Sequence, residues 1–98
     1  MDAQALIRRR VVLTEDAYAD LVVSKVPKPV PGCDHAFKYR LALVVQGKCV
    51  LRYDNETGKG DHKHMGETEM PYRFVSPDRL VSDFMKDVRR WLDERGHA

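Results

Sequence analysis

Two stretches of alternating apolar and polar residues, Phe37–Val44 and Lys48–Asp54, constrain the fold most strongly. Each has the two-residue period of a strand with one buried face. Only Val45, Gln46 and Gly47 separate the two stretches, which is a short connection typical of a β-hairpin. The pattern therefore predicts two adjacent antiparallel strands.

The length of the turn decides which side chains of this hairpin face one another. A three-residue turn ending at Gly47 in the left-handed conformation would place Leu41 opposite Leu51 and Arg40 opposite Arg52. A two-residue turn would instead place Leu41 beside Arg52 and mix the apolar and basic faces. We therefore expect the three-residue turn, with one apolar and one basic face.

Two arginines side by side repel one another, so their placement favours a face that meets an anion. The alternative is that Asp54, Glu56 or Asp61 neutralises Arg40 and Arg52 within the fold. Both possibilities remain open at this point.

Further strands extend the hairpin into a sheet. The segments Ala5–Leu13 and Ala17–Val26 are rich in Val, Ile and Leu and are joined by turn residues, so they predict a second hairpin, with a one-turn N-terminal helix as the alternative for the first segment. Met65–Met70 supports only a turn or a short strand, and Tyr72–Val75 predicts a short final strand. About five strands are expected in all.

A helix start follows at Ser76-Pro77-Asp78, where serine caps the end, proline fits the first position and aspartate matches the helix dipole. Gly96 is a plausible stop. Apolar residues recur at helical spacing between them, at Leu80, Phe84, Val88 and Trp91. The predicted fold class is α+β: an antiparallel sheet with a C-terminal amphipathic helix packed on one face, in a single domain over residues 1–98.

Composition narrows the class of protein. With 98 residues, 43% hydrophobic and 33% charged, the chain predicts one soluble globular domain. The net charge of +2 does not by itself demand a polyanionic partner. No apolar run approaches the roughly 20 residues of a membrane helix. Cys33 and Cys49 form no paired motif, and Cys49 is expected to be a buried thiol, so we predict a cytoplasmic protein.

The segment from Arg52 to His64 concentrates charge, imidazole and glycine, which is more typical of a working loop than of a simple connection. In an extended chain His62 and His64 point the same way and Lys63 points the opposite way. RNA cleavage without a metal needs a base, an acid and positive charge, and this segment contains all three.

The residues assigned from this chemistry form two groups. The catalytic candidates are His62 and His64 as acid and base, Asp61 as the group that orients a histidine, and Tyr53 as a substitute for one histidine in proton transfer. The candidates for binding nucleic acid are basic: Lys38, Arg40, Arg52, Lys59 and Lys63.

The same loop also has features of a metal site and of a structural turn. His62, His64 and a carboxylate from Asp54 or Asp61 would be a partial ligand set for a transition metal, but the nearby lysines disfavour a second cation, so no metal and no cofactor is predicted. Asp54, together with Asn55, Gly58 and Gly60, suits a purely structural turn.

The proline-rich segment Pro27–Gly32 cannot continue a strand ladder. It is expected to run extended across an edge or one end of the sheet, as a stiff connector or as a docking segment. His35 follows it and is expected to be solvated or to reach the central loop.

These motifs resemble the TumE-type toxin family of bacterial toxin–antitoxin systems, and the resemblance covers nearly the whole chain. The residues that carry it are Pro27 to Gly32, Lys38 to Val44, Arg52 to Asn55, Gly58 to His64, Pro71-Tyr72-x-Phe74 and Asp83-Phe84-x-x-Asp87. Lys63 occupies a position at which arginine is expected as often as lysine, and either residue keeps the positive charge.

The resemblance implies a small cytoplasmic toxin neutralised by a separately encoded antitoxin, usually of the helix-turn-helix type. Toxins of such modules commonly act on RNA. The predicted function is therefore a type II toxin acting as a metal-independent endoribonuclease. The alternatives are a non-catalytic module that docks nucleic acid or an acidic protein, and a metal-dependent hydrolase. Monomer and homodimer both remain open.

Overall fold

The structure is a computed structural model that describes residues 4–96. Within that range, six strands form one antiparallel sheet in which every strand neighbours the next along the chain, and one helix packs against it. The elements are β1 Gln4–Thr14, β2 Ala17–Lys25, β3 Phe37–Val45, β4 Lys48–Asp54, β5 His62–Met65, β6 Thr68–Pro71 and α1 Pro77–Gly96. This confirms the α+β class and adds a strand to the expected number.

The additional strands come from the β5–β6 hairpin. His62–Met65 begins inside the predicted loop, and Thr68–Pro71 pairs with it across a turn that contains Gly66 at a φ of 63°. The predicted final strand at Tyr72–Val75 is wrong, because residues 72–75 form no strand, although the Tyr72 N–H still donates to the Asp61 carbonyl at 3.1 Å. That segment crosses toward the helix without regular structure.

The β3–β4 turn differs from the predicted three-residue form. Val45 pairs directly with Lys48, so Gln46 and Gly47 are the whole turn, with φ values of 52° and 75°. Two consecutive positive φ values are those of a type I′ turn, whose twist matches that of the two strands.

A β-bulge follows this turn and restores the separation of the faces. Val44 pairs with Cys49 but Leu43 pairs with Leu51, so Val50 is an extra residue on β4. Beyond the bulge, apolar residues again oppose apolar residues on the helix-covered face.

The predicted pairing of two arginines is therefore wrong. Arg40 lies opposite Asp54, and Arg52 lies opposite Ala42. The electrostatic conflict that the predicted register implied is absent from this hairpin, because a carboxylate faces Arg40 across the strands.

The helix covers one face of the sheet and closes the core. Leu80, Phe84 and Val88 are fully buried against apolar residues of β2, β3 and β4. The predicted cap is confirmed, since the Arg79 backbone N–H donates to Ser76 Oγ at 3.1 Å. Cys49, expected to be buried, is exposed because it follows the turn at the bulged end of β4.

The loop between β4 and β5 is fastened at one end of the sheet. Asn55 is 1% exposed and acts as an extension of β4, accepting from the Tyr39 backbone N–H at 2.9 Å and donating to the Phe37 carbonyl at 2.7 Å. Its side chain therefore satisfies two backbone groups of β3 beyond the last paired residue of β4.

The proline-rich segment crosses this loop at a glycine–glycine contact. Gly58 N–H donates to the Pro31 carbonyl at 2.6 Å. A Cβ on Gly60 would lie 3.0 Å from the Gly32 carbonyl oxygen, and a Cβ on Gly32 would lie 3.0 Å from Gly60 N. Only residues without a side chain allow the two segments to approach this closely. The expectation that Pro27–Gly32 crosses one end of the sheet agrees with this contact.

Candidate functional site

The face of the sheet opposite the helix carries two parallel rows of side chains that cross all six strands. The first row, by strand pairing, is Arg8, Val22, Arg40, Asp54, His62 and Pro71. The second is Arg10, Asp20, Ala42, Arg52, His64 and Glu69. Two basic residues at the β1 edge therefore lie on the same surface as both histidines.

The charged groups of this open face differ in how they are paired. Arg10 binds Asp20 and lies over the Tyr18 ring, with 4.1 Å between its guanidinium carbon and the ring centre. Arg8 and Arg40 are exposed, and neither makes an ion pair within residues 4–96. The face is thus basic at its β1–β3 end.

At the β4–β6 end, Arg52 is the centre of a polar cluster. Its Nε lies 3.0 Å from Asp54 Oδ2, and its Nη2 lies 3.2 Å from His64 Nε2. His64 Nε2 is also 3.7 Å from Asp54 Oδ1. Since a guanidinium only donates hydrogen bonds, the His64 nitrogen facing it is an acceptor.

His62 is the buried member of the cluster. It is 5% exposed, and its ring centre is 5.7 Å from that of His64, so the two imidazoles lie side by side as the strand alternation predicted. Its Nε2 lies 3.0 Å from Glu69 Oε1. Glu69 is exposed, and the small accessible part of His62 lies beside it in a shared cleft.

Glu69 is the site residue that sequence reasoning missed. It pairs with His64 across β5 and β6 and contacts His62 from that position. The signal was the short Gly66–Glu67 turn, which makes a tight hairpin possible. A polar segment gave no alternation strong enough to predict the strand.

Asp61 lies in a different cluster from the two histidines it was expected to orient. Its Oδ1 accepts from the Tyr39 hydroxyl at 2.6 Å and lies 2.8 Å from His35 Nε2. Burial and this carboxylate raise the pKa of Tyr39 far above its usual range. Asp61 therefore joins the loop to β3 and to His35, which stacks on Phe74 with 3.9 Å between ring centres.

Tyr53 and Lys63 lie on the helix-covered face and do not share a surface with His62 and His64. The Tyr53 hydroxyl donates to Asp87 of the helix, and Lys63 Nζ lies 3.2 Å from the same carboxylate. Burial and Asp87 raise the pKa of Tyr53 well above its ordinary value. The structure thus separates the proposed substitute acid, Tyr53, and one proposed phosphate ligand, Lys63, from the histidines.

The other predicted phosphate ligands lie at the surface. Lys38 is exposed on the open face beside Arg40. Lys59 is exposed in the β4–β5 loop, 3.8 Å from Glu56, and lines a cleft of about 590 Å³ that also contains His62 and Glu69. Arg52 and His64 line a neighbouring cleft of about 390 Å³.

Two groups within residues 4–96 have the geometry to hold a metal ion. One is Asp54 with His62 and His64, and the other is Cys33 with His35 and Asp61. In each group the potential ligand atoms lie within 4.8 Å of one another.

The fold and this site define a small α+β domain whose antiparallel sheet presents a basic face ending in a histidine–carboxylate–arginine cluster. A family model described as Toxin TumE matches residues 2–92, and the chain belongs to this toxin family. Comparison with curated proteins and with solved structures gave no match. Membership assigns a toxin role and, in general, a partner antitoxin. Within residues 4–96, no helix is long and apolar enough to cross a membrane.

Proposed function

We propose that the protein is the toxin of a type II toxin–antitoxin system, held inactive by a separately encoded helix-turn-helix antitoxin, and that it cleaves RNA in the cytoplasm. The observation that supports this most is the continuity of the open face. Exposed arginines at β1 and β3 lie in the same cross-strand rows as the histidine cluster at β5. At a strand spacing of about 4.8 Å, Arg8, Arg40 and His62 follow one another at intervals of about 10 Å.

Each part of the cluster suits one requirement of RNA cleavage. Arg52 supplies a bidentate donor for a phosphate and needs no metal to stabilise the developing negative charge. His64 exchanges a proton through Nε2, which becomes free when Arg52 turns to the phosphate. The His62–Glu69 pair is the second proton-transfer group, because His62 holds the exposed carboxylate in place.

RNA cleavage by the purified protein in excess EDTA is the direct test. We expect His64→Gln and Glu69→Gln to lower the cleavage rate by about 100-fold or more. Glu67→Gln makes the same chemical change at an exposed turn residue two positions away and should leave the rate unchanged. Full cleavage by a folded His64→Gln variant would disprove the assignment.

Growth arrest connects the chemistry to the toxin role. Expression without the neighbouring antitoxin gene should arrest growth with cleavage products in total RNA, and co-expression should restore growth. Unchanged arrest in a folded His62→Ala/His64→Ala variant would exclude the histidines from the toxic activity.

A non-catalytic docking face is the second candidate, and one observation favours it. The exposed Arg8, Lys38 and Arg40 lie on β1 and β3, outside the two clefts that the histidine cluster lines. Binding of intact RNA without cleavage, weakening steeply with salt, would select this function. Activity lost with chelator and restored by a metal would instead select a hydrolase.

A further inference from the structure

The polar cluster contains acceptor atoms that the protein itself leaves unpaired. Within residues 4–96, Asp54 Oδ1, His62 Nδ1 and the donor Arg52 Nε are buried and have no hydrogen-bond partner, although Arg52 Nε lies 3.0 Å from Asp54 Oδ2 as an ion pair. Asp54 and His62 are 6% and 5% exposed. A buried acceptor without a partner costs free energy, and each such atom requires a physical explanation.

The surrounding contacts determine where the lone pairs lie. Glu69 Oε1 lies 3.0 Å from His62 Nε2, and this acceptor favours a ring proton on Nε2, which leaves the lone pair on the buried Nδ1. Arg52 donates to His64 Nε2, which therefore also carries a lone pair. Asp54 Oδ1 is the third acceptor. Asp54, His62 and His64 each offer one potential ligand atom, and these atoms lie within 4.8 Å of one another.

A second observation also indicates a metal ligand. A histidine that binds a metal usually donates its other ring N–H to a carboxylate, which fixes the tautomer and the ring orientation. Glu69 Oε1, which lies 3.0 Å from His62 Nε2, is a carboxylate placed to take this role when a metal binds Nδ1. Tetrahedral ligands at about 2.1 Å from zinc are about 3.4 Å apart. Asp54 Oδ1 and His64 Nε2 are already 3.7 Å apart.

We propose that Asp54, His62 and His64 bind one divalent transition-metal ion of the zinc class in exchange for the Arg52 guanidinium. Two imidazole nitrogens and one carboxylate oxygen are the donors such ions prefer, and three protein ligands leave a position open to solvent. The Arg52 side chain is 30% exposed, so it can turn outward when the ion enters.

The neighbouring group of Cys33, His35 and Asp61 is not suited to the same ion. His35 Nδ1 accepts from the Phe37 backbone N–H at 3.2 Å, so the neutral ring carries its proton on Nε2, the atom facing Asp61. Burial and the Asp61 charge raise the pKa of the Cys33 thiol, which opposes the thiolate that a metal needs. His35 therefore serves as an internal control.

Binding has a regulatory consequence, which rests on the proposed function. The ion would occupy His64 Nε2 and displace Arg52, so it would remove a proton-transfer group and the phosphate ligand together. The metal-bound protein is then the inactive form, and a chelator restores cleavage.

Titration of the metal-free full chain with Co²⁺, followed by visible absorption, tests the site without reference to activity. We expect one equivalent to bind and Zn²⁺, but not Mg²⁺, to displace it. His64→Gln should lower the affinity at least about tenfold, and Glu69→Gln by about 10- to 100-fold. Glu67→Gln and His35→Gln should bind as the parent chain does.

The outcomes separate the two proposals. No binding, or binding that a folded His64→Gln variant retains in full, overturns the metal site. RNA cleavage that falls in proportion to Zn²⁺ occupancy supports the regulatory consequence, and cleavage that rises with the metal overturns it. If RNA is cleaved neither in EDTA nor with metal, the proposed function fails, and the Co²⁺ titration still decides whether the site exists.

Discussion

Arg52 Nη2 lies 3.2 Å from His64 Nε2, and Nε of the same guanidinium lies 3.0 Å from Asp54 Oδ2. One cation thus connects an imidazole to a carboxylate whose side chain is only 8% exposed. The arrangement of the cluster depends on this charge, because within residues 4–96 no other arginine or lysine forms an ion pair with the buried Asp54.

Arg52→Met should therefore lower the free energy of unfolding by about 2 kcal/mol, less than for a fully buried pair because Arg52 is partly exposed. Asp54→Asn in the same chain should recover part of the loss, since it removes the stranded charge. Urea unfolding followed by circular dichroism measures both. Arg79→Met breaks the exposed pair with Asp83 and should cost about 0.5 kcal/mol or less. Equal losses in Arg52→Met with and without Asp54→Asn would contradict the role of Arg52 as the matching cation.

The exposed cations at the β1–β3 end of the open face should account for the salt dependence of RNA binding. Arg40→Ala removes an exposed cation from the row that leads to His62, so RNA should bind more weakly and the salt slope should fall by about one. Fluorescence anisotropy at several salt concentrations gives the slope. Arg89→Ala removes the same charge from an exposed helix position. If both variants bind alike, the open face is not the RNA surface.

Asn55 should be far more sensitive to substitution than its exposed neighbour Glu56. Asn55→Ala leaves the Tyr39 N–H and the Phe37 carbonyl without their partner at a buried position, which should cost about 2–4 kcal/mol for the two groups. Glu56→Ala should stay within about 0.5 kcal/mol. Chemical denaturation of both variants measures the difference, and a similar small effect in both would refute the bridging role.

Alanine substitutions at Gly60 and at Gly58 distinguish the cost of a steric contact from the cost of a strained backbone conformation. Both have positive φ, 78° and 84°, so alanine is strained at either position by about 1 kcal/mol. A Cβ at Gly60 also meets the Gly32 carbonyl oxygen at 3.0 Å, whereas at Gly58 it meets nothing within 4 Å. Gly60→Ala should therefore lower the melting temperature clearly more than Gly58→Ala. Equal shifts would mean that the loop crossing adds nothing to stability.

Three tyrosines should make the fold sensitive to alkaline pH. Burial is the main cause that raises the pKa of each, and hydrogen bonds to carboxylates add to it. Because each folded-state pKa exceeds the unfolded value, this contribution to stability is complete below about pH 10 and is lost as the pH rises further. Phenolate absorbance should appear together with the loss of circular dichroism. The donors and acceptors are Tyr39 with Asp61, Tyr53 with Asp87, and Tyr72 with Asp83.

A single substitution checks that coupling. Tyr39→Phe removes one of the three groups. The number of protons released on unfolding above pH 10 should therefore fall by about one, and the free energy of unfolding should decrease less steeply with pH. Phenolate absorbance that appears in full while the protein remains folded would contradict the raised pKa values.

The class of fold could be predicted from the sequence because the spacing of apolar residues within one segment shows which of its faces is buried. That spacing is visible without knowing which segments pair. The β3–β4 register was not predictable in the same way. Val50 is an ordinary β-branched strand residue, and nothing in its type marks the bulge. Without the bulge, a two-residue turn mixes the apolar and basic faces, so the pattern favours the wrong, three-residue turn.

The site was predicted in part for the same reason. Strand alternation placed His62 beside His64 and pointed Lys63 away, and the structure agrees. Glu69 and the contact between Asp61 and His35 depend on pairings between separate segments. Such pairings depend on the turns that bring the segments together, and a polar segment contains no burial pattern that reveals them.

The strand order of the sheet has a consequence for synthesis. Because each strand pairs with its neighbour along the chain, the sheet can grow from the N-terminus as the polypeptide emerges, without waiting for distant segments. The basic rows start on β1, but Glu69 and the partner strand of His62 are the last part of the sheet to be made. The complete cluster therefore exists only after β6 has been synthesised, and the helix that covers the apolar face of the sheet is made later still.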